Sequence, residues 1–260
     1  MREASKPGRS EIRRGLLSEE DCFDAYLTFY PPHLRQPEHE HGCSQFSVLL
    51  SGGLTERVDG REFRAGPGQV SAKARGTAHA DEYGAQGALL VSFNFRCEEA
   101  ASALLPEGKW QWRSARPGSG SYTPRLLWMK PGADRNDLVW DLLAVGDEPA
   151  RHSRPPEWLR WVRRQLDQPG AGPAIGSLAR EAGVHRVCLT REFTRHFGLP
   201  PAAYRQRQMA GVALKALIDG NTSAADAAYL AGFADQSHMI RTMRGAFGMT
   251  PRRLASLLAS

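Results

Sequence analysis

A chain of 260 residues that is 41% hydrophobic and 24% charged has the composition of an ordinary globular protein, which excludes global disorder or a fibre and leaves room for two modest domains with separate cores. The net charge of +6 is unevenly placed: residues 157–260 hold 14 Lys/Arg and 7 Asp/Glu, whereas residues 1–156 hold 20 and 21, so the basic excess lies in the C-terminal part, as in a polyanion-binding module joined to a near-neutral one. No apolar run approaches the ~20 residues that span a bilayer, and Cys22, Cys43, Cys97 and Cys188 lack CxxC spacing, so the expected setting is a reduced cytoplasm with no membrane partner.

Met1 to Arg14 is charged and has no apolar stretch, which predicts a frayed tail rather than a signal peptide. Phe23 to Tyr30 alternates as a strand and is closed by Pro31 and Pro32. Gln45 to Ser51 predicts a second strand ending at Gly52-Gly53. Leu54 to Val58 and Arg61 to Arg64 flank Asp59-Gly60, a pair suited to a type I′ hairpin because both central residues need positive φ. Gln69 to Ala74 and the apolar Ala88 to Phe95 continue the sheet, and short strands at this spacing imply a sandwich or small barrel. Glu98 to Leu105 and Thr123 to Val145 predict helices, the latter broken at Pro131-Gly132, while Trp110 and Trp112 alternate as strand core. Gly146 to Pro156 is polar, rich in Pro and aperiodic, the composition of a linker.

Beyond the linker the signals are helical. Glu157 to Leu166 has Trp158, Trp161 and Val162 on a packing face. Ala179, Gly183 and Leu189 mark the small, turn and core positions of a helix-turn-helix, followed by Phe193, Phe197 and Gly198. Pro201 to Leu217 predicts one long helix with Tyr204, Val212, Ala213, Ala216 and Leu217 inward. The same grammar then returns over Thr222 to Leu254. Ser223 and Asp226 form a capping-box-like start, Ala228 is small, Gly232 can turn with positive φ, Phe233 fills the corner, and Met239, Met243 and Phe247 repeat every four residues as a buried stripe. Gly248 and Pro251 stop that helix.

Ser177 to Leu254 resembles the double helix-turn-helix DNA-binding domain of the AraC family of bacterial transcription regulators, most specifically over Ala231 to Pro251, AGFADQSHMIRTMRGAFGMTP. Met239 and Met243 stand where that family usually has Phe. In the first copy Ala174 replaces a capping Ser or Thr, Gly176 lies inside the helix and His185 replaces Ser, so this copy is expected to be less well braced. The resemblance implies base-reading roles for Val187, Thr190 and Arg191 in the first copy and Gln236, Ser237 and Arg241 in the second, with Arg186, Arg195, His238 and Thr242 on phosphates. Two recognition helices on one stiff connector should enter successive major grooves ~34 Å apart.

The front half resembles the cupin-like sensor domain that often precedes such a DNA-binding domain. His39 and His41 form its HxH, Gln45 stands where a metal-binding cupin has Glu, Gly52 closes the motif, and His79 matches the histidine of the second motif. Three imidazoles suit a divalent transition metal, but Gln45 supplies no charge to hold a dication, so the expected cofactor is none and the four residues are read as a ligand pocket, with a divalent transition metal in the barrel as the alternative. The whole is an α+β multidomain chain. It comprises an N-terminal cupin-like β-barrel with flanking helices over 15–146, a linker over 147–156 and an all-α DNA-binding domain over 157–260, with helix-turn-helix motifs near 174–197 and 222–247 joined by a long helix. The implied function is not enzymatic: a sequence-specific transcription regulator whose barrel senses a small-molecule effector. Its partners are double-stranded DNA, RNA polymerase if it activates, and a second copy of itself if the helices after the barrel pair subunits instead of packing on their own barrel. The competing readings are a metal-dependent cupin enzyme built on His39, His41 and His79, and an architectural DNA binder.

Overall fold

The computed structural model describes residues 11–97, 101, 110–114, 155–170, 172–220 and 222–259. Among them eight strands form one antiparallel sheet: β1 Arg13–Glu19, β2 Phe23–Tyr30, β3 Arg35–His39, β4 Ser44–Val58, β5 Arg61–Ala65, β6 Gln69–Lys73, β7 His79–Phe95 and β8 Trp110–Ser114. The order β1-β2-β7-β4-β6-β8 forms the main path, with β3 added to the first part of β7 and β5 to the second part of β4. The Asp59-Gly60 hairpin forms as expected, with φ of 49° and 75°.

Two strands are far longer than the sequence signals suggest. β4 runs straight through Gly52-Gly53, and β7 begins at His79 instead of Ala88. The glycines mark a corner inside the strand: register against β7 slips between Leu49 and Ser51 and again between Gly52 and Leu54, and Gly52 sits at φ +83°. A Cβ there would lie 2.0 Å from the Gly87 carbonyl oxygen, so only glycine lets the two backbones cross. β1 starts within the stretch expected to fray, and β3 occupies a segment with no strand signal. Apart from Ala101, which is helical and buried, the expected helices over 98–105 and 123–145 and most of the linker lie outside the described residues.

Seven described helices follow: α1 Glu157–Leu166, α2 Ile175–Glu181, α3 Arg186–Phe197, α4 Pro201–Ile218, α5 Ala224–Leu230, α6 Gln236–Phe247 and α7 Pro251–Leu258. α2 and α3 meet across Gly183 at φ +68°, α5 and α6 across Gly232 at φ +83°, and Gly198 and Gly248 cap α3 and α6 in the left-handed region. Pro251 ends α6 as expected and also opens α7, where its missing N–H costs no hydrogen bond.

The cores are not separate. Phe23, Leu27, Phe46, Val48, Leu50, Val91, Phe93 and Phe95, from one face of the sheet, belong to the same buried cluster as Met209, Ala213, Met239, Met243, Phe247 and Leu254 of the helical part. A second cluster joins α1, α2, α3 and Tyr204, and a third, with Leu49, Leu54, Tyr83, Leu90 and Trp112, lies on the other face of the sheet. Because the sheet also covers α4, its buried face is wider than the periodicity implied. Gln208, Met209, Ala210, Gly211 and Leu214 are buried with Tyr204 and Ala213, while Val212, Ala216 and Leu217 are half-buried at its border.

Candidate functional site

The recognition helices α3 and α6 each have one apolar face sunk in the domain and one turned out. Leu189, Phe193 and Phe197 are buried in α3, as Met239, Met243 and Phe247 are in α6. The outward positions follow from the 3.6-residue period. Val187 is 66% exposed, Arg186, Arg191 and Arg195 are exposed, and Thr190 is half-buried beside them. These five, with Thr194, line one open groove along α3. On α6, Gln236, Ser237 and Arg241 are exposed, while Thr242 is half-buried. His238 is half-buried with its ring edge-on to Phe233 at 5.2 Å, so part of its surface supports the corner of the motif.

Caps fix how these helices begin. Asp235 Oδ1 accepts from the His238 N–H at 2.6 Å, and Ser223 Oγ accepts from the Asp226 N–H at 3.1 Å. Ala174 leaves α2 without a side-chain cap, as expected. His185 corrects one part of the expectation of a less well braced first copy, because its Nδ1 accepts from the Val187 N–H at 3.3 Å and caps α3 in place of Ser. Electrostatics differ between the copies. Glu192 accepts from Arg191 Nε at 3.2 Å and from Arg195 Nη2 at 2.6 Å, and these two guanidiniums hold its carboxyl below the usual range. Arg241 forms no salt bridge among the described residues.

Part of the interior of the barrel is polar. His39 and His79 face each other as β3–β7 partners with ring centroids 4.2 Å apart, and His41 lies 5.2 and 5.0 Å from them. The sequence thus names three residues that the fold brings together. Gln45 lines the same cavity but donates to Asn94 Oδ1 at 3.1 Å. Burial, then the charge of Lys73, lowers both His41 and His79 to about 4, so both are neutral near pH 7.

Sequence reasoning missed the charged centre of this cavity. Glu56 is wholly buried, and its carboxylate accepts from Lys73 Nζ at 2.6 Å, from Trp112 Nε1 at 2.6 Å and from Trp110 Nε1. Burial opposes its charge, but Lys73 and the Trp110 hydrogen bond outweigh burial and hold the carboxyl below its usual value. The two tryptophans, read only as strand core, therefore use their polar edges as well. Asp81, two residues after His79, has its Oδ2 3.9 Å from His79 Nε2 and is raised to about 6, chiefly by burial. Tyr83 donates to Gln36 Oε1 at 2.9 Å. A usable signal existed: Glu56 falls at an inward position of an alternating strand, and His79, Asp81 and Tyr83 share one face of β7.

A transition metal fits part of this set. His39 Nδ1 and His79 Nδ1 each lie 2.9 Å from a backbone carbonyl, Pro37 and Thr77, which leaves Nε2 as the acceptor in both rings. His79 Nε2 is buried with no hydrogen-bond partner, and ligand atoms of the three histidines lie within 4.8 Å of one another. His39, His41 and His79 are the residues that would hold the ion.

Residues 178–256 match the family model described as a helix-turn-helix domain. No curated protein sequence matches the chain. Solved structures similar to it include ToxT from Vibrio cholerae, at 8% identity over 91% of this chain and 97% of that one with a TM-score of 0.40. A cupin superfamily protein from Desulfitobacterium hafniense shares 13% identity over 35% and 82% of the two chains, with a TM-score of 0.31. The C-terminal domain of AraT, a response regulator from Geobacillus stearothermophilus, shares 18% identity over 40% and 88%, with a TM-score of 0.37. The family match falls on the paired motifs and the helix that joins them, from within α2 to within α7: this part of the chain is a helix-turn-helix domain.

Proposed function

We propose that the protein is a sequence-specific DNA-binding transcription regulator in which α3 and α6 read two adjacent major-groove segments and the barrel interior receives the controlling effector. One observation carries this reading: both recognition helices keep their apolar stripes buried and present on their outward faces side chains of kinds that can contact bases and phosphates, Val187, Thr190 and Arg191 on one and Gln236, Ser237 and Arg241 on the other. Arg186 and Arg195 extend the first surface toward the phosphates, and His238 and Thr242 border the second. Selection from a random duplex library at fixed salt tests the reading. It should enrich a two-part site with halves ~34 Å apart, and a library that emerges without any enriched sequence would refute it.

The effector site has a cavity of about 50 Å³ lined by His39, His41, Gln45, Glu56, Lys73 and Asp81 among others, room for an ion or one to two waters. Its unpaired groups, His79 Nε2 and Asp81 Oδ1, are acceptors. They suit a small cation or a donor-rich molecule that widens the barrel on entering. A divalent metal would place positive charge between β3 and β7 and cross-link them. Adding stoichiometric Ni²⁺ or Zn²⁺ to metal-free protein should then raise its thermal midpoint, and His79→Ala should abolish the rise; an unchanged midpoint assigns the imidazoles to hydrogen bonding with an organic effector.

A further inference from the structure

A hydrogen-bond network, buried at Gln208 and Gly52 and partly exposed toward Arg163 and Asp167, crosses from the barrel to the helical domain. Its centre is Gln208 on α4, which is 4% exposed. Gln208 Oε1 accepts from the Gly52 N–H at 2.7 Å, and Nε2 donates to Asp167 Oδ1 at 2.7 Å and lies 3.4 Å from the Gly52 carbonyl oxygen. Asp167 Oδ1 also accepts from Tyr204 Oη at 2.7 Å. Arg163 on α1 closes the circuit, donating to Tyr204 Oη at 3.3 Å, to the Ala65 carbonyl at 2.8 Å and to the Arg64 carbonyl at 3.3 Å. Two points on the barrel, the corner of β4 and the end of β5, are thereby tied to α1 and α4.

At the β4 end of this circuit the pairing of the barrel strands is irregular. Gly52 lies between the two register slips against β7, so the ladder is already interrupted on either side of it. The same strand lines the effector cavity on both sides of that corner, with Gln45 and Ser47 before it and Leu54 and Glu56 after. An occupant that moves Glu56 or Ser47 therefore acts on the strand segment whose amide is held by Gln208. At the other end, α4 is the connector that joins both helix-turn-helix motifs, so its position sets where both recognition helices stand.

We propose that Gln208 is a positioning residue through which the state of the barrel interior reaches the DNA-binding half: the β4 corner either holds the Gln208 amide, fixing α4 and α1, or shifts and releases it. This rests on the regulator reading above, and it makes the effector's influence a bias between two arrangements of one buried contact. Spatial continuity alone does not establish coupling, so the test is a double-mutant cycle in the full-length chain.

The interior variant is Glu56→Gln, with Ser47→Ala as the milder alternative on the same strand, and the network variant is Gln208→Leu, which keeps the volume and removes the amide. Two quantities are read in each single and double variant: backbone hydrogen exchange of peptides from 157–167 and 201–218, and affinity for the selected DNA site at fixed salt. With Gln208 present, an interior variant should change both by about fivefold or more; in the Gln208→Leu background the same variant should change them by less than about twofold. Equal changes in both backgrounds, or interior variants that leave the helical peptides unaltered, would overturn the proposal. Exchange that is coupled in a protein without sequence-selective DNA binding would uphold the Gln208 relay and defeat the regulator reading instead.

Discussion

Arg241 and Arg191 hold matching positions on the two recognition helices but in different electrostatic states. Arg191 shares Glu192 with Arg195, whereas Arg241 has no carboxylate partner among the described residues. A guanidinium already free can grip a guanine edge bidentately without giving up an ion pair. Arg241→Ala should therefore cost ~1–3 kcal/mol of discrimination between the selected site and random DNA, and equal loss on both in competition titrations would remove it from the base-reading set. Glu192 has the opposite influence, since its negative charge sits between two arginines that face a polyanion. Glu192→Gln should strengthen binding to all sequences and steepen the dependence of log K on log salt, by up to about 0.9 for each further phosphate neutralised. Weaker binding would mean that Glu192 serves mainly to hold Arg191 and Arg195 in their DNA-bound geometry. Arg191, Arg195 and Arg241 were legible because helical spacing separates the outward set from Leu189 and Phe193 and the family resemblance implied what that set contacts; Glu192 was not singled out. Glu56 and Lys73 were not legible, because they are not register partners, and only the three-dimensional fold puts their side chains together in the interior.

At the scale of the element, the helices announce themselves through local chemistry and the strands do not. Ser223, Gly232, Asp235 and Gly248 each satisfy or permit a backbone arrangement within a few residues of themselves, so the second helix-turn-helix can be read from its own segment. For β4 and β7 the same kind of signal misleads. Gly52-Gly53 looks like the end of a strand because glycine usually interrupts pairing, yet here it bends a strand that continues, and only the crossing at Gly87 explains why. The caps also make quantitative claims. Asp235→Ala removes the acceptor at the start of α6 and should destabilise the domain by ~1 kcal/mol, whereas Ala174→Ser supplies α2 with a missing acceptor and should stabilise it by a similar or smaller amount. Urea unfolding of the two variants measures both, and the same sign for the two changes would contradict the assignment of Ala174 and Asp235 as N-caps.

For the molecule as a whole, the decisive feature is a seam that no motif marks. The chain was long enough for two separate cores, and its composition and linker both suggested them. Instead one face of the sheet and the second helix-turn-helix bury their apolar residues together. Gly211 is a point of close approach, where a Cβ would lie 2.6 Å from Ser51 Oγ and 2.9 Å from Ser51 Cβ. At Gly15 a Cβ would lie 2.3 Å from the Leu257 carbonyl oxygen, so α7 meets β1 as closely. Neither contact is visible in the sequence, because glycine in a helix or strand reads as a weakness until a neighbour is known. A shared core implies shared stability: in native-state hydrogen exchange under increasing urea, peptides from 23–58 and from 201–218 should converge on one opening free energy. Gly211→Val forces bulk into that seam and, by overpacking, should cost ~1–3 kcal/mol. If the seam holds the halves together, the loss should appear as separation of the two peptide sets, with the strands and the helices opening at different urea concentrations. Equal lowering of both would place the strain within α4 itself, and two separate openings in the unmodified protein would show that each half stands on a core of its own.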